Sequence, residues 1–495
     1  MKFKKYIIYP LFALAAVVTS CKDGFEELAE NPNASENALP QTLLAPAITD
    51  VLRRNMDRAQ RINNELMQDH INMGDQEGKI FRYDIRAGES TYMWNNWYLQ
   101  FANFKDVYKG GADRIRISST DLVGNTYKGI GLICQVWVAS LITDMYGDVP
   151  YSEAGFGKER LFLPKFDAQK DIYMDMFLKL EEANTLLTGT AALNLEDPSA
   201  DPVYKGIAAN WRKLGNSMYL RLLMRLSNKA AEPLIDGMTV IDKIKEMVET
   251  KASTYPLMAS NADGARISWT SESPYQSPFY TWRPADWYGV RYTQFFINNL
   301  KDWSDPRLPI WSTVSNGEFE GVPGGYAQNT PVIGRSVPVT ALAQDARLGN
   351  IMTYAELQFI LAEAAARGWI STPAKTYYEA GVTNAITQWT TLPTGYLTTE
   401  GIEWDDDIAL EDKLEKIHLQ KYYALYYTDF QQWYEYRRTG HPVLPVGQGH
   451  QNGGVMPSRL IYPIVLQSTN KANLDAAIAN QGPDDINTKV WWQRP

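Results

Sequence analysis

The side chains that most often catalyse reactions or bind metal ions are few in this sequence. There are four histidines, and their spacing fits no common set of metal ligands. They are His70, His418, His441 and His450. The sequence contains no GxSxG, HExxH, Walker A, CxxC or GxGxxG motif. We therefore expect no metal centre, no cofactor and no enzymatic activity, and we expect ordinary surface or hydrogen-bonded histidines.

Carboxylates are abundant, and a pair of them could hydrolyse a glycosidic bond. With 57 acidic residues, spacing alone selects no pair, so a surface glycoside hydrolase stays an unsupported alternative. The one notable acidic run is 405–407, three consecutive aspartates before the helical pattern of 409–427. We expect this run to cap the following helix, with a calcium site as the alternative.

Aromatic side chains in a segment without helical spacing give the clearest chemical signal. Residues 273–292 are rich in proline and contain Tyr275, Phe279, Tyr280, Trp282, Trp287, Tyr288 and Tyr292, interleaved with Arg283, Asp286 and Arg291. The C–H faces of a sugar ring are apolar while its hydroxyls need hydrogen-bonding partners, so such a set suits a glycan. A peptide would suit it as well. We predict that this segment contacts a ligand.

A second aromatic cluster lies earlier in the chain, at residues 92–98. It contains Tyr92, Trp94, Asn95, Asn96, Trp97 and Tyr98. These side chains could face the same groove as the first cluster. However, Trp94, Trp97 and Phe101 also have helical spacing, which is typical of residues that pack in a core. Both interpretations stay open at this stage.

The elements that must position these aromatics are mostly helices. Helical periodicity runs through 47–254 and 346–440, which we predict to form the scaffold of one domain, 47–495. Small residues at spacing four, including Gly381, favour close helix packing. Residues 255–345 lack the pattern apart from a stretch at 292–303, so they should form loops and short strands. Residues 441–495 form a closing segment.

The N-terminus has the plan of a secretory signal, which predicts export. Lysines precede an apolar run from Ile7 to Val18 that is too short to span a bilayer, so residues 1–20 should be a signal peptide. The sequence VTSC at 18–21 resembles a lipobox, which predicts a lipidated Cys21 followed by a tether over 21–46. Cys134 then has no partner for a disulfide and should lie in the core.

The charge balance excludes one class of ligand. The formal net charge is −9, whereas proteins that bind nucleic acid cluster lysine and arginine. An anionic polymer is therefore a poor candidate partner. The same acidic body leaves membrane attachment to the lipid.

Several segments, in order along the chain, are similar to those of the SusD/RagB family of outer-membrane lipoproteins. They are DMYGDVPYSEA at 144–154, NWRKLGNSMYLRLLMRLS at 210–227, DPRLP at 305–309, YAELQFILAEAAARG at 354–368, QKYYALYYTDFQQWYEYRRTGHP at 420–442, MPSRLIYP at 456–463 and the closing TKVWW. The resemblance covers essentially the whole mature chain. These segments pack or end helices, so they indicate the fold and not the ligand.

The resemblance implies a mainly α fold, with a tetratricopeptide-like scaffold of helical pairs, long irregular loops and a few short strands. It also implies a lipid-anchored protein on the outer surface of the outer membrane, acting as the lid of a SusC-like TonB-dependent transporter. Many members bind oligosaccharides, while RagB-type members bind peptides. Positions that resemble the carbohydrate contacts of the family are Trp94, Asn96, Trp97, Tyr280, Trp282, Trp287 and Tyr288.

Overall fold

The computed structural model describes residues 39–73, 79–235, 237–283, 287, 289–333 and 336–495. The predicted signal peptide, Cys21, most of the predicted tether and Tyr288 lie outside the described residues. Residues Pro40–Pro495 form one compact unit.

Helices make up most of the regular structure, as the sequence predicted. In chain order they are α1 (Pro40–Arg61), α2 (Asn63–Leu66), α3 (Glu89–Ile117), α4 (Leu122–Tyr146), α5 (Gln169–Leu186), α6 (Ala208–Arg225), α7 (Val240–Lys245), α8 (Gln294–Asp302), α9 (Leu308–Trp311), α10 (Tyr354–Ala366), α11 (Ala374–Thr387), α12 (Leu410–Ala424), α13 (Gln431–Thr439), α14 (Leu466–Thr469) and α15 (Lys471–Gln481).

The strands are short and pair in antiparallel ribbons of two. They are β1 (His70–Asn72), β2 (Val149–Pro150), β3 (Phe166–Asp167), β4 (Pro233–Ile235), β5 (Met238–Thr239), β6 (Ala265–Ile267), β7 (Val290–Tyr292) and β8 (Gly349–Met352). β1 pairs with β7, β2 with β3, β4 with β5 and β6 with β8. In the β1–β7 ribbon, His70 lies opposite Tyr292, which joins the early helical region to the irregular middle.

Neighbouring helices pack as pairs, α3 against α4 and α10 against α11, and glycines allow their close approach. A Cβ on Gly111 of α3 would lie 2.6 Å from the carbonyl oxygen of Gly124 of α4, so the two backbones touch. A Cβ on Gly381 would lie 2.7 Å from the Phe359 ring. The predicted role of Gly381 in close packing is therefore confirmed.

Helix α4 is the most apolar element of the fold. It is long and apolar enough to cross a membrane, but every residue of its apolar stretch is buried within the protein. Cys134 lies on this helix and is buried and free, so its prediction as a core residue is confirmed. The helix lies inside the core, where it packs against both α3 and α5.

Two local predictions are corrected. The first helix begins at Pro40 and not at Ala47, because a proline suits the first turn of a helix and the stripe Leu44, Ala47 and Ile48 is buried against the core. The aspartates at 405–407 do not cap α12, whose N-cap is Ala409 without a side-chain hydrogen bond. They stabilise the preceding turn instead, where the Asp407 N–H donates to Asp405 Oδ1 at 2.8 Å.

Candidate ligand-binding surface

The aromatic segment of the irregular middle divides into buried and exposed side chains. Phe279 and Trp287 are buried, while Trp282 is half-buried and Tyr280 is 41% exposed. The Trp282 ring packs edge-on against both buried rings, with centroid distances of 4.9 Å to Phe279 and 6.2 Å to Trp287. The buried pair thus supports one side of the Trp282 indole, and the remaining surface of Trp282 faces solvent.

Hydrogen bonds hold this segment in a fixed shape. The N–H of Tyr280 donates to the carbonyl of Ser277 at 3.1 Å, and the N–H of Trp282 donates to the carbonyl of Phe279 at 3.1 Å. The Ser277 hydroxyl donates to the carbonyl of Ala343 at 2.6 Å. Because these bonds are made within the protein itself, they restrict the conformations of the segment that carries Tyr280 and Trp282, which lowers the entropy cost of binding.

Trp287 is not available to a ligand, which corrects the sequence prediction for this residue. It is 4% exposed, and its Nε1 donates to the carbonyl of Pro338 at 3.2 Å. Its sequence position among prolines suggested a loop surface, but the partner that buries it lies far away in the chain. Spacing within one segment carries no signal for such a contact.

The two tryptophans of the early aromatic cluster lie in the core, which corrects their prediction as ligand contacts, whereas the prediction for half-buried Asn96 stays a prediction. Trp97 on α3 is 0% exposed, and its Nε1 donates to Asn55 Oδ1 at 2.8 Å. Trp94 packs edge-on against Tyr146 at 5.1 Å. Asn96 is half-buried and donates to a carbonyl of its own helix. The helical spacing of Trp94 and Trp97 therefore reflects core packing.

A cleft of about 420 Å³ lies beside Tyr275, between α1 and α3. Its polar lining includes Asp50, Gln100 and Asn103, which form a hydrogen-bonded chain. Gln100 Nε2 donates to Asp50 Oδ2 at 2.9 Å, and Asn103 Nδ2 donates to Gln100 Oε1 at 2.7 Å. The cleft has the size of a small-molecule site and combines a tyrosine ring with amide and carboxylate groups.

Three loops that are distant in sequence also meet, and the sequence gave no sign of it. The Nε of Arg82 donates to the Tyr326 carbonyl at 2.7 Å, and its guanidinium lies 4.8 Å from the centre of the Tyr326 ring. His450 stacks on Tyr83 with a centroid distance of 4.2 Å. Gly449 passes so close that a Cβ would lie 2.2 Å from the Tyr326 carbonyl oxygen. Residues so far apart share no spacing that could have revealed the contact.

In the described part of the chain, one cluster has the geometry of a metal site, formed by Glu363, His418 and Glu435. Cationic side chains already satisfy these carboxylates. Arg438 donates to both glutamates, and Lys421 Nζ donates to Glu435 Oε2 at 2.8 Å. The cluster is therefore a buried ion-pair network that joins α10, α12 and α13, and positive charges fill the space that a metal ion would need.

Comparison with known proteins agrees with this fold. A family model described as starch-binding and associating with the outer membrane matches residues 32–463. Among curated proteins, none is similar to this chain in sequence.

Among solved structures, a chitin-binding protein is 25% identical, with a TM-score of 0.76, over 92% of this chain and 99% of its own. A SusD homologue from Bacteroides fragilis is 27% identical, with a TM-score of 0.73, over 92% of this chain and 99% of its own. A chitin-binding SusD homologue from Flavobacterium johnsoniae, 23% identical over 92% of this chain and 98% of its own, shares the fold with a TM-score of 0.76. The family model spans most of the chain and the helical architecture is shared, so the chain belongs to the SusD-like family.

Proposed function

We propose that this protein is a cell-surface lipoprotein that binds oligosaccharides and delivers them to a TonB-dependent transporter of the outer membrane. The observation that carries the proposal is the half-buried indole of Trp282, which packs against buried Phe279 and Trp287 and lies beside exposed Tyr280. A rigid aromatic surface of this kind stacks against the apolar face of a sugar ring.

The family supports a glycan as the ligand. Its description names starch binding, and a relative of 25% identity is called a chitin-binding protein. The cleft beside Tyr275 offers further contacts, because the carboxylate of Asp50 and the amides of Gln100 and Asn103 can exchange hydrogen bonds with sugar hydroxyls.

A peptide is the second candidate ligand, since RagB-type proteins resemble this chain and aromatic surfaces also bind peptides. Isothermal titration calorimetry separates the two. The purified protein should bind at least one member of a panel of starch- and chitin-derived oligosaccharides, and none of a matched panel of peptides. Binding to peptides alone would overturn the glycan assignment.

We also propose that the protein binds without cleaving its ligand. Among the described residues, five carboxyl groups have raised pKa values. Glu65, Asp69, Asp144 and Asp429 are buried away from solvent, where a substrate cannot reach them, and half-buried Asp484 pairs with Arg459 at 3.0 Å. The rival function is a surface glycoside hydrolase. Mass spectrometry of oligosaccharides incubated with the protein should show intact ligand, and cleavage that persists after repurification would establish the hydrolase.

The transporter partnership follows from the family and has its own test. Extraction of the native protein in mild detergent should recover a large β-barrel subunit with it. If the protein is recovered alone under conditions that preserve such complexes, it is a free-standing binding protein and the delivery step is wrong.

A further inference from the structure

The loop at residues 155–165, here called the apolar–basic loop, exposes large apolar side chains. Phe162 is 72% exposed and Leu163 is 61% exposed, and Phe156 is also exposed. Ile464 and Val465 are also exposed, on a segment whose Asn470 is hydrogen-bonded to this loop. Exposed apolar side chains that lie together indicate a contact surface, because the exposed apolar residues of a monomeric protein usually occur singly.

Hydrogen bonds connect the two parts of this surface. Asn473 Nδ2 donates to the Leu163 carbonyl at 3.0 Å, and Asn470 Nδ2 donates to that of Pro164 at 2.8 Å. At the other end of the loop, Lys105 Nζ donates to the carbonyl of Ala154 at 2.6 Å. The loop is therefore attached to the fold at both ends. Its apolar side chains stay exposed and do not pack in the core.

The charge of this loop is opposite to that of the whole protein. It carries Lys158, Arg160 and Lys165, all exposed, against one acidic residue, Glu159. The chain as a whole has a formal net charge of −9. Lys158 pairs with Asp106 at 3.2 Å, but such a pair between exposed groups is weak and leaves the lysine free to meet another anion.

The loop also lies near the point where the chain enters the fold. A Cβ on Gly110 of α3 would lie 2.8 Å from Cδ of Pro40, so the first turn of α1 touches this part of α3. Lys105 of α3 lies 4.3 Å from the centre of the Phe156 ring. Five residues of helix separate these two contacts, which is about 7.5 Å along the axis.

The length of chain before Pro40 sets the reach of the proposed lipid anchor. From Cys21 to Pro40 the chain can span at most about 65 Å, which is its fully extended length. A lipid on Cys21 therefore keeps the entry point of the chain, and with it the apolar–basic loop, within reach of the bilayer surface.

We propose that the apolar–basic loop is a second membrane contact, in which Phe162 and Leu163 enter the headgroup layer and the basic side chains meet anionic headgroups. Apolar groups beside lysine and arginine are the chemistry that partitions into an anionic membrane interface. The proposal relies on the lipid anchor to bring the loop to the membrane, and it does not rest on ligand binding. It orients the protein with α3 and the entry point of the chain towards the bilayer.

The test measures membrane binding without the lipid. Purified protein with Cys21→Ala is sedimented with vesicles of phosphatidylcholine and phosphatidylglycerol, and with vesicles of phosphatidylcholine alone. We expect it to pellet with the anionic vesicles and to be released by salt. Phe162→Ser with Leu163→Ser should abolish pelleting, and Lys158→Gln with Arg160→Gln should weaken it roughly fivefold for each lost charge.

A matched control is the pair Val443→Ser with Val446→Ser, two equally exposed valines on another loop, which should pellet as the parent does. Oligosaccharide binding of all variants should equal that of the parent, so failure of this inference is distinct from failure of the proposed function. The proposal is overturned if the Cys21→Ala protein does not pellet with anionic vesicles, or if the loop variants made in it pellet as well as it does. Loop variants that keep vesicle binding but lose the co-purified barrel would assign the loop to the transporter instead.

Discussion

The guanidinium of Arg438 donates one hydrogen bond to each carboxylate oxygen of Glu363, at 2.7 and 2.6 Å, and neither side chain is exposed. Burial alone would raise the pKa of the Glu363 carboxyl, but Arg438 and His418 hold this pKa well below its usual range. Arg225 adds a bond to Glu435 of the same network at 2.8 Å. Apart from His418, these residues belong to three of the segments that resemble the family, so the resemblance follows a buried ionic framework.

Breaking the ion pair between Glu363 and Arg438 should lower the stability of the folded protein. In Glu363→Gln the neutral amide no longer compensates the buried guanidinium of Arg438, and we expect the free energy of unfolding to fall by about 3–5 kcal/mol. Urea denaturation of the parent and the variant measures this difference in the free energy of unfolding. Lys471→Gln breaks an exposed pair with Asp475 and should change stability by less than about 0.5 kcal/mol. Equal effects of the two substitutions would show that the buried pair is not a framework.

Asp69 should make stability depend on pH. It is fully buried, and desolvation raises the pKa of its carboxyl to about 8, whereas in the unfolded chain that pKa is about 4. The folded state thus holds this proton over a range where the unfolded state has lost it, so this contribution to stability is full below about pH 4 and is lost as the pH rises through about 8.

Asp69→Asn removes this titration while keeping the shape of the side chain. We expect the melting temperature of the variant, relative to that of the parent, to rise between about pH 5 and pH 8. Differential scanning calorimetry at both pH values gives the comparison. A difference that stays constant with pH would mean that Asp69 is already ionised in the folded protein.

The lipid anchor is tested at a residue outside the described part of the chain. Cys21→Ala removes the proposed acylation site, so after a high-salt wash, which also releases the proposed contact of the apolar–basic loop, the protein should leave the outer-membrane fraction and appear in soluble extracts. Mass spectrometry of the parent should show a lipid-modified N-terminal cysteine. An unmodified parent, or a variant that remains as firmly attached as the parent, contradicts the lipoprotein assignment.

Core positions could be predicted from the sequence wherever a helix repeats its pattern. Trp211, within the predicted helical range 47–254, is fully buried, and its Nε1 donates to Asp201 Oδ2 at 2.7 Å. The helical spacing of Trp97 offered the same core interpretation, which its burial supports. Prediction from spacing failed for Trp287, because burial in an irregular segment depends on a distant partner, the carbonyl of Pro338. The contact between Arg82 and Tyr326 could not be predicted from the sequence for the same reason.

Trp287→Ala should therefore behave as a core substitution. Removing this buried indole leaves a cavity beside Phe279, and we expect a loss of about 3–5 kcal/mol in unfolding free energy and a lower melting temperature. Trp211→Ala is the matched control from a regular helix and should lose a similar amount. A Trp287→Ala protein as stable as the parent would mean that this side chain is not part of the core.

Trp282 and Tyr280 form the surface on which the proposed glycan binding depends. Alanine at an aromatic that anchors a ligand commonly costs roughly 2 kcal/mol, which is about thirtyfold in affinity. Since both side chains retain solvent exposure, their removal should lower the melting temperature far less than Trp287→Ala does.

The most direct test is calorimetric titration of the parent, Trp282→Ala and Tyr280→Ala with the oligosaccharide that the parent binds best. We predict roughly thirtyfold weaker binding for Trp282→Ala, weaker binding for Tyr280→Ala, and folded protein in both cases. If both variants bind this oligosaccharide as tightly as the parent, the aromatic surface of residues 279–287 is not the ligand-binding site.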